Sequence, residues 1–423
     1  MKFQTPKGTR DLLPEEATRF QKLIDLFRAI AEKYGFEPLI TPAFEDFGLL
    51  AAKGGLGETV KDEIYYFKDK SERELGLRFD MTMPLARVVS SNPQLRKPFK
   101  RYAIDKVWRY DNPQAMRYRE FYQADVDTIG TSSLLADAEI LAVACEFLDG
   151  LGFKSYYIRL NDRKLLQTIF EKFVPKEKIV EAFRSIDKMD KIGLDGVKKE
   201  LEEKGIESKN ILKMIEIAGT NESVLKSVEK TFGGSEGLDE LKELLKYGKI
   251  FGIENKLKVD LSLVRGLEYY TGTVFEVYLG AKFGCGGGGR YDKLIGNVGG
   301  VDLPATGISM GLNRIFETMK ENKMFDPKKT KVKVFVASVN EEVKKDAVKI
   351  ATDIRKEGIS CQVDLMNRSL GKQFEYADSL GIPFVLVVGP EEVKKKKFKL
   401  KDMKKKSEKG LKLDEVIKVL LKQ

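Results

Sequence analysis

Arginines at 109, 117, 119, 265, 290 and 314 recur beside strand-like runs. A guanidinium keeps its charge when partly buried and binds phosphate with two parallel hydrogen bonds, so arginines in such places point to nucleotide chemistry. They fall in polar clusters that interrupt apolar patterns: "LRFDMTMP" (77–84), "VWRYDNPQAMRYREFYQADVD" (107–127), "LVRGLEYYTGT" (263–273), "GCGGGGRYDKL" (284–294) and "GISMGLNRI" (307–315). The run after Arg265 raises a question of its own. Val274, Phe275, Val277 and Tyr278 suit a strand, yet Arg265, Glu268, Tyr269 and Tyr270 precede them. Two readings fit: an edge strand whose Arg reaches water along its stem, or a polar pocket whose Arg binds an anion. The phosphate loop Gly-x-x-x-x-Gly-Lys-Ser/Thr does not occur; "GCGGGG" imitates a dinucleotide fingerprint, but a glycine run of this kind is weak evidence for one. Its glycines equally suit a strand that lets a ligand lie close to the backbone.

The chain of 423 residues contains no histidine. This excludes histidine bases, Ser-His and Cys-His nucleophile pairs and histidine-ligated zinc. Proton transfers must use carboxylates, Lys, Tyr, water or the substrate. The three cysteines, Cys145, Cys285 and Cys361, lie far apart and form no Cys-x-x-Cys pair. Their odd number argues against a disulfide framework. No apolar run is long enough to span a bilayer, and "MKFQTPKGTRDLLPEE" has no apolar signal core. A reducing, cytoplasmic setting without membrane contact is expected. Residues 331–423 hold 22 Lys and Arg against 14 Asp and Glu, eight of the ten net positive charges. That excess suits either a solvated lysine-rich surface or a polyanion-binding module.

What must position the clusters is a chain in three blocks. The first, to about 165, opens with an amphipathic helix. Its Phe20, Leu23, Ile24, Phe27, Ile30 and Ala31 keep the helical period, and Gly35 follows its end. Strand-like pieces "LGLRFDM", "FKRYAIDKVWRY" and "REFYQADVDTIG" follow, then a helix "LLADAEILAVACEFLDGLG" and a strand "SYYIRLN". Residues 166–249 are helical, and strand patterns return at 257–278, so the helical stretch reads as an insertion. After a charged linker, strands alternate with helices from 331, which predicts a small parallel sheet, a basic hairpin and a final helix.

These residues together resemble the histidyl-tRNA synthetases, class II aminoacyl-tRNA synthetases. "PKGTRDLLP" is similar to the family's N-terminal signature, "TPAFED" with Pro42 to motif 1, and "VWRYDNPQAMRYREFYQADVD" to motif 2. "GISMGLNRI" with Arg314 is similar to motif 3. "LVRGLEYYTGTVFE" and "GGGGRYD" resemble the segments specific to the histidine enzymes. The resemblance covers nearly the whole chain. It implies an α+β catalytic domain, with an antiparallel sheet flanked by helices, over 1–165 and 250–322. It further implies an all-helical insertion domain at 166–249, a linker at 323–330, and a C-terminal α/β anticodon-binding domain at 331–423. A homodimer through the motif 1 region is implied as well.

Roles follow from the resemblance. Arg109 would hold the α-phosphate of ATP, Arg117, Arg119 and Arg314 the outer phosphates, and Phe121 the adenine. Asp80, Thr82 and Gln123 would take the α-amino group, and Arg265 would sit by the carboxylate and α-phosphate. Asp127 and Tyr270 would bind the imidazole nitrogens, with Tyr269 and Tyr291 lining the pocket, and Gln114 would meet the tRNA acceptor end. Asp80, Asp111 and Asp127 stand where many family members have Glu, keeping the charge with a shorter reach. ATP, Mg²⁺ on its phosphates, histidine and tRNA(His) are the implied substrates and partners, and no metal-binding side chain is assigned. The alternative is a synthetase-like, histidine-binding regulatory subunit of histidine biosynthesis.

Overall fold

The computed structural model describes residues 3–52, 63–265, 269–280, 284–325 and 330–422. Gly266–Glu268, inside "LVRGLEYY", and residues 326–329 of the expected linker lie outside the described residues. The chain divides into two units, residues 1–11 with 23–324, and 12–22 with 325–423.

An eight-stranded sheet organises the first unit. Its strands are β1 (Glu37–Pro38), β2 (Phe99–Trp108), β3 (Glu120–Ile129), β4 (Tyr157–Asp162), β5 (Leu257–Val259), β6 (Thr273–Tyr278), β7 (Gly284–Arg290) and β8 (Ala305–Gly311). They run in the order β1-β2-β3-β8-β7-β6-β4-β5. The six inner strands pair antiparallel, and the outermost pairs, β1 with β2 and β4 with β5, are parallel. The β2–β3 ribbon is in register from Phe99 opposite Ile129 to Trp108 opposite Glu120. Alternation along β3 puts Gln123, Asp125 and Asp127 on one face and the fully buried Ala124 and Val126 on the other.

Helix α1 (Pro14–Lys33) buries the six residues that its period singles out. The strand expected over "LGLRFDM" ends early, spanning Glu74–Leu77; residues 78–81 are irregular, and helix α2 (Thr82–Ser91) follows. The Asp80 carboxylate accepts from the backbone N–H groups of Thr82 and Met83 (3.1 and 3.0 Å), which starts the helix, and Pro84 needs no amide partner in its first turn. Helix α3 (Leu134–Gly150) is apolar on most sides and packs under β8, and Phe27 meets its Phe147 edge-on, with ring centroids 5.1 Å apart.

From α3, Asp137 rivets helix to sheet. It is fully buried and accepts from the hydroxyls of Thr273 (2.5 Å) and Thr306 (3.1 Å) and from the Arg290 guanidinium. Arg290 also donates to the carbonyls of Thr131 and Ser133 (3.0 and 3.1 Å). It is therefore a structural anchor of the glycine-rich strand, not one of the phosphate-type arginines. Asp137→Ala strips the buried guanidinium of its charge partner. It should lower unfolding stability by about 3–5 kcal/mol, read from urea titrations of both proteins.

Helices α4 (Arg163–Phe170), α5 (Ile179–Ile186), α6 (Met189–Glu203), α7 (Ser208–Ile215), α8 (Asn221–Phe232) and α9 (Glu236–Ile250) fill the chain between β4 and β5. Asp162, Thr220 and Ser235 cap α4, α8 and α9 with side-chain oxygens, the local signal that starts each. α9 packs on α3.

The second unit has a sheet of β9 (Val334–Ser338), β10 (Cys361–Val363), β11 (Phe384–Val388), β12 (Phe398–Asp402) and β13 (Ser407–Leu411), in the order β10-β9-β11-β12-β13. The first three are mutually parallel, and β12–β13 is an antiparallel hairpin. Helices α10 (Lys344–Lys356) and α11 (Leu370–Ser379) join the parallel strands, and α12 (Leu413–Leu421) ends the chain. Val334, Val336, Leu386 and Val388 pack with Ala351 and Ile354, while Phe335, Ala337, Val385 and Val387 pack with Ala377. Both faces are thus covered, as a parallel sheet requires.

Candidate active site

The open face of the sheet in the first unit carries a cavity of about 520 Å³. Its floor is glycine. A Cβ on Gly288 would stand 2.0 Å from the Gly307 carbonyl oxygen, and one on Gly307 would stand 2.0 Å from Asp127 Oδ1. Strands β7 and β8, and the Asp127 side chain, can approach this closely only because these positions lack side chains. Gly287 differs, since its Cβ would meet nothing closer than the Phe275 carbonyl at 3.3 Å and Arg265 Nη1 at 3.7 Å.

One group of walls is cationic. Arg109, just past β2, donates Nε to the Phe79 carbonyl (3.0 Å) and lies 5.3 Å from the Phe121 ring centroid. Arg117 forms a two-point pair with Asp111 (3.0 and 2.8 Å). Arg314, in the first turn of the helix Leu312–Glu321, donates to the Gly284 carbonyl (2.6 Å). Arg265 pairs with Glu276 of β6 (2.6 Å), its side chain half exposed. Burial, and then the nearby charges of Arg265, Arg117 and Arg109, push the Arg314 pKa down. The Arg314 cation is thus held among three like charges, an arrangement that an arriving anion would relieve.

Another group is acidic. Asp80, Asp125 and Asp127 are buried, and so is Gln123. Asp127 accepts from the Tyr291 hydroxyl (2.5 Å) and pairs with the buried Arg101 (2.8 Å). Burial first, and then neighbouring groups, push the Tyr270 and Tyr291 phenols well up, so both stay protonated donors. Tyr269 and Tyr270 pack with centroids 4.2 Å apart. Burial, with the charges of Asp127 and Asp80 added and Arg101 opposing, pushes Asp125 up from 3.8 to about 7.

The Asp125 shift has a sign that can be checked. A carboxyl whose folded-state pKa exceeds its unfolded value stabilises the fold fully below the unfolded value and loses that contribution as pH rises through the folded one. Stability should therefore fall between about pH 4 and pH 7 through this group. Asp125→Asn removes the titration. Its melting temperature should exceed that of the unsubstituted protein at pH 8, with the gap narrowing by pH 5; a constant gap would contradict the burial argument.

The structure brings Asp80, Thr82, Arg109, Arg117, Phe121, Gln123, Asp127, Arg265, Tyr269, Tyr270, Tyr291 and Arg314 to this one cavity. Among the residues expected at the site, Arg119 and Gln114 do not line it. The Arg119 guanidinium lies 4.1 Å over the Tyr110 ring and donates to the Asp111 carbonyl (3.0 Å). Gln114 is exposed in the β2–β3 loop, bridged to Arg117. Arg109 and Arg265 stand on loops rather than strands, since β2 ends at Trp108 and β6 begins at Thr273.

Sequence reasoning passed over other lining residues: Asp125, Glu276, Arg159 and, from the helical stretch, Asp187 and Asp190. Asp125 carried a signal, because it shares the period of Gln123 and Asp127 along β3. Arg159 and Asp190 gave none, since only the fold brings them together. Among the described residues no group of three or more Asp, Glu or Cys is arranged to hold a metal ion, and no helix is long and apolar enough to cross a membrane. The three cysteines are buried and unpaired.

Comparison with known proteins adds to this geometry. A family model described as histidyl-tRNA synthetase matches residues 8–315, and one described as an anticodon binding domain matches 333–423. The chain is 40% identical to the histidine–tRNA ligase of Clostridium tetani, across 98% of this chain and 97% of that protein. It is also 40% identical to that of Aeropyrum pernix, across 92% and 90%. The crystal structure of histidyl-tRNA synthetase from Nostoc sp. PCC 7120 superposes with a TM-score of 0.89 at 31% identity, covering 100% of this chain and 99% of that one.

Proposed function

The chain belongs to the histidyl-tRNA synthetase family, of class II fold with an anticodon-binding domain, and on that premise we propose that its cavity joins histidine to ATP and then charges tRNA(His). One observation carries this reading: the cavity is bipolar, with four arginines around one part and buried carboxylates and phenols around another. A nucleotide triphosphate suits the first. An ammonium and an imidazole suit the second.

Activation is attack by a carboxylate on the α-phosphorus with loss of pyrophosphate. The nucleophile is ionised at neutral pH, so a chain without histidine lacks nothing the step needs. The work is to bring two anions together and neutralise the charge gathering at phosphorus. Arg109 and Arg265 take that role, Arg117 and Arg314 hold the outer phosphates, and Phe121 stacks on the base. Arg119 joins them only by leaving Tyr110. Mg²⁺ belongs to the nucleotide substrate, its ligands being phosphate oxygens and water. Asp80, Thr82 and Gln123 receive the α-amino group. Asp127 accepts from one imidazole nitrogen and Tyr270 donates to the other, matching a ring with one N–H and one lone pair. In the transfer step a phosphate oxygen of the adenylate takes the ribose proton.

Within this reading 1–165 and 250–322 form the catalytic domain, 166–249 an insertion, 323–330 a linker and 331–423 the anticodon-binding domain. Exposed lysines at 394–397 and 404–406 supply phosphate contacts to tRNA, with affinity falling steeply as salt rises. Gln114 meets the acceptor end. A homodimer through the motif 1 region is supported by Ile40 and Phe44, exposed at 88% and 51%. A cytoplasmic setting is supported by the unpaired cysteines. The family match over 333–423 and the intact arginine set weigh against a regulatory subunit that binds histidine without charging tRNA. Pyrophosphate exchange run across the amino acids tests the whole reading, which requires exchange dependent on histidine.

A further inference from the structure

Arg265 is not held by the cavity alone. Its Glu276 partner is 1% exposed and stands between two guanidiniums: Arg265 on Oε1 at 2.6 Å, and Arg159 near Oε2 at 3.7 Å. Arg159 and Glu276 are direct neighbours across β4 and β6. Arg159 is itself gripped on three sides. Nε pairs with Asp260 (2.9 Å), Nη2 donates to Ser262 Oγ (2.7 Å), and Nη1 reaches both Asp190 Oδ2 (3.1 Å) and the Tyr278 hydroxyl (3.0 Å). Tyr278 closes the triangle by donating to the same Asp190 oxygen (2.9 Å). Asp190 lies in the first turn of α6, and it contributes to the cavity wall with Ile186, Asp187, Met189 and Lys191. At Gly193 the backbone leaves the helical conformation, with φ +67°, so the segment carrying Asp190 is set off from the rest of α6.

We infer that Glu276 is a positioning residue for Arg265, and that Asp190, acting through Arg159, makes this position depend on the seating of the helical segment. The inference rests on the activation reading given above. A carboxylate shared by two guanidiniums moves when either one moves. If Asp190 releases Arg159, Arg159 keeps Asp260 and Ser262 but is free to turn on that side. Glu276 then follows Arg159, and Arg265 loses its fixed approach to the reaction centre.

The test is histidine-dependent pyrophosphate exchange by the full chain. Asp190 is 61% exposed, so Asp190→Asn should fold normally. It should lower kcat on the order of tenfold, with KM for ATP and for histidine within twofold of the unsubstituted protein. Asp190→Glu should restore most of the rate, which a general loss of folding would not allow. Glu276→Gln should lower kcat as well, and adding Asp190→Asn to it should cost little more, because both act through one contact. An unchanged kcat in Asp190→Asn, or losses that multiply in the double variant, would overturn the inference while leaving the activation reading intact. Absence of histidine-dependent exchange in the unsubstituted protein would overturn both.

Discussion

Arg265→Ala should lower kcat for histidine-dependent pyrophosphate exchange on the order of 10²–10³, by analogy with loss of an oxyanion donor. Arg265 is half exposed and meets Glu276 at 2.6 Å, so its fork is already over the floor beside Gly287. An arriving carboxylate or α-phosphate competes with Glu276 for that fork. The competition favours the reacting groups most strongly when negative charge accumulates at phosphorus, so the loss should fall on kcat more than on KM. Removing the side chain should not unfold the protein, because Glu276 retains Arg159. Arg265→Lys keeps the charge but not the fork, and should lie between the two. Rapid-quench measurement of adenylate formation checks it, and a variant within threefold of normal would remove Arg265 from the reaction centre.

Asp127→Ala should abolish histidine activation, a loss of roughly 10⁴ or more, while ATP binding stays within a few-fold. A site built to hydrogen-bond both imidazole nitrogens pays heavily when one acceptor is gone. The arginine cluster that would hold ATP consists of different residues. The fold has a partial substitute for the lost charge, since Asp125 lies 3.9 Å from the Arg101 guanidinium that Asp127 leaves behind. Calorimetric titration with ATP beside the exchange assay separates the two effects. Normal histidine activation would refute the pocket assignment.

Much of this architecture was legible in the chain itself. Period-2 alternation along β3 announces a polar face over an apolar one, and the period of α1 names its buried side residue by residue. The failures have physical causes. "LGLRFDM" alternates like a strand, but a single Asp80 carboxylate satisfies two amides and turns the chain into α2. Arg119 and Arg290 belong to the same residue type and setting as Arg109, yet the Tyr110 face and the Asp137 carboxylate capture them. Which acceptor wins a guanidinium is decided by three-dimensional neighbours. The same holds for Arg159 and Asp190, 31 residues apart in the chain and joined only once the helical segment lies against β4.

The bare floor limits how this fold can change. Gly288 and Gly307 cannot take even one methyl without colliding with backbone or with Asp127, so new chemistry cannot be written there one residue at a time. A descendant accepting a different amino acid would have to redraw the sides instead, at 80, 123, 125, 127 and 270. The ground beneath them would be inherited unaltered.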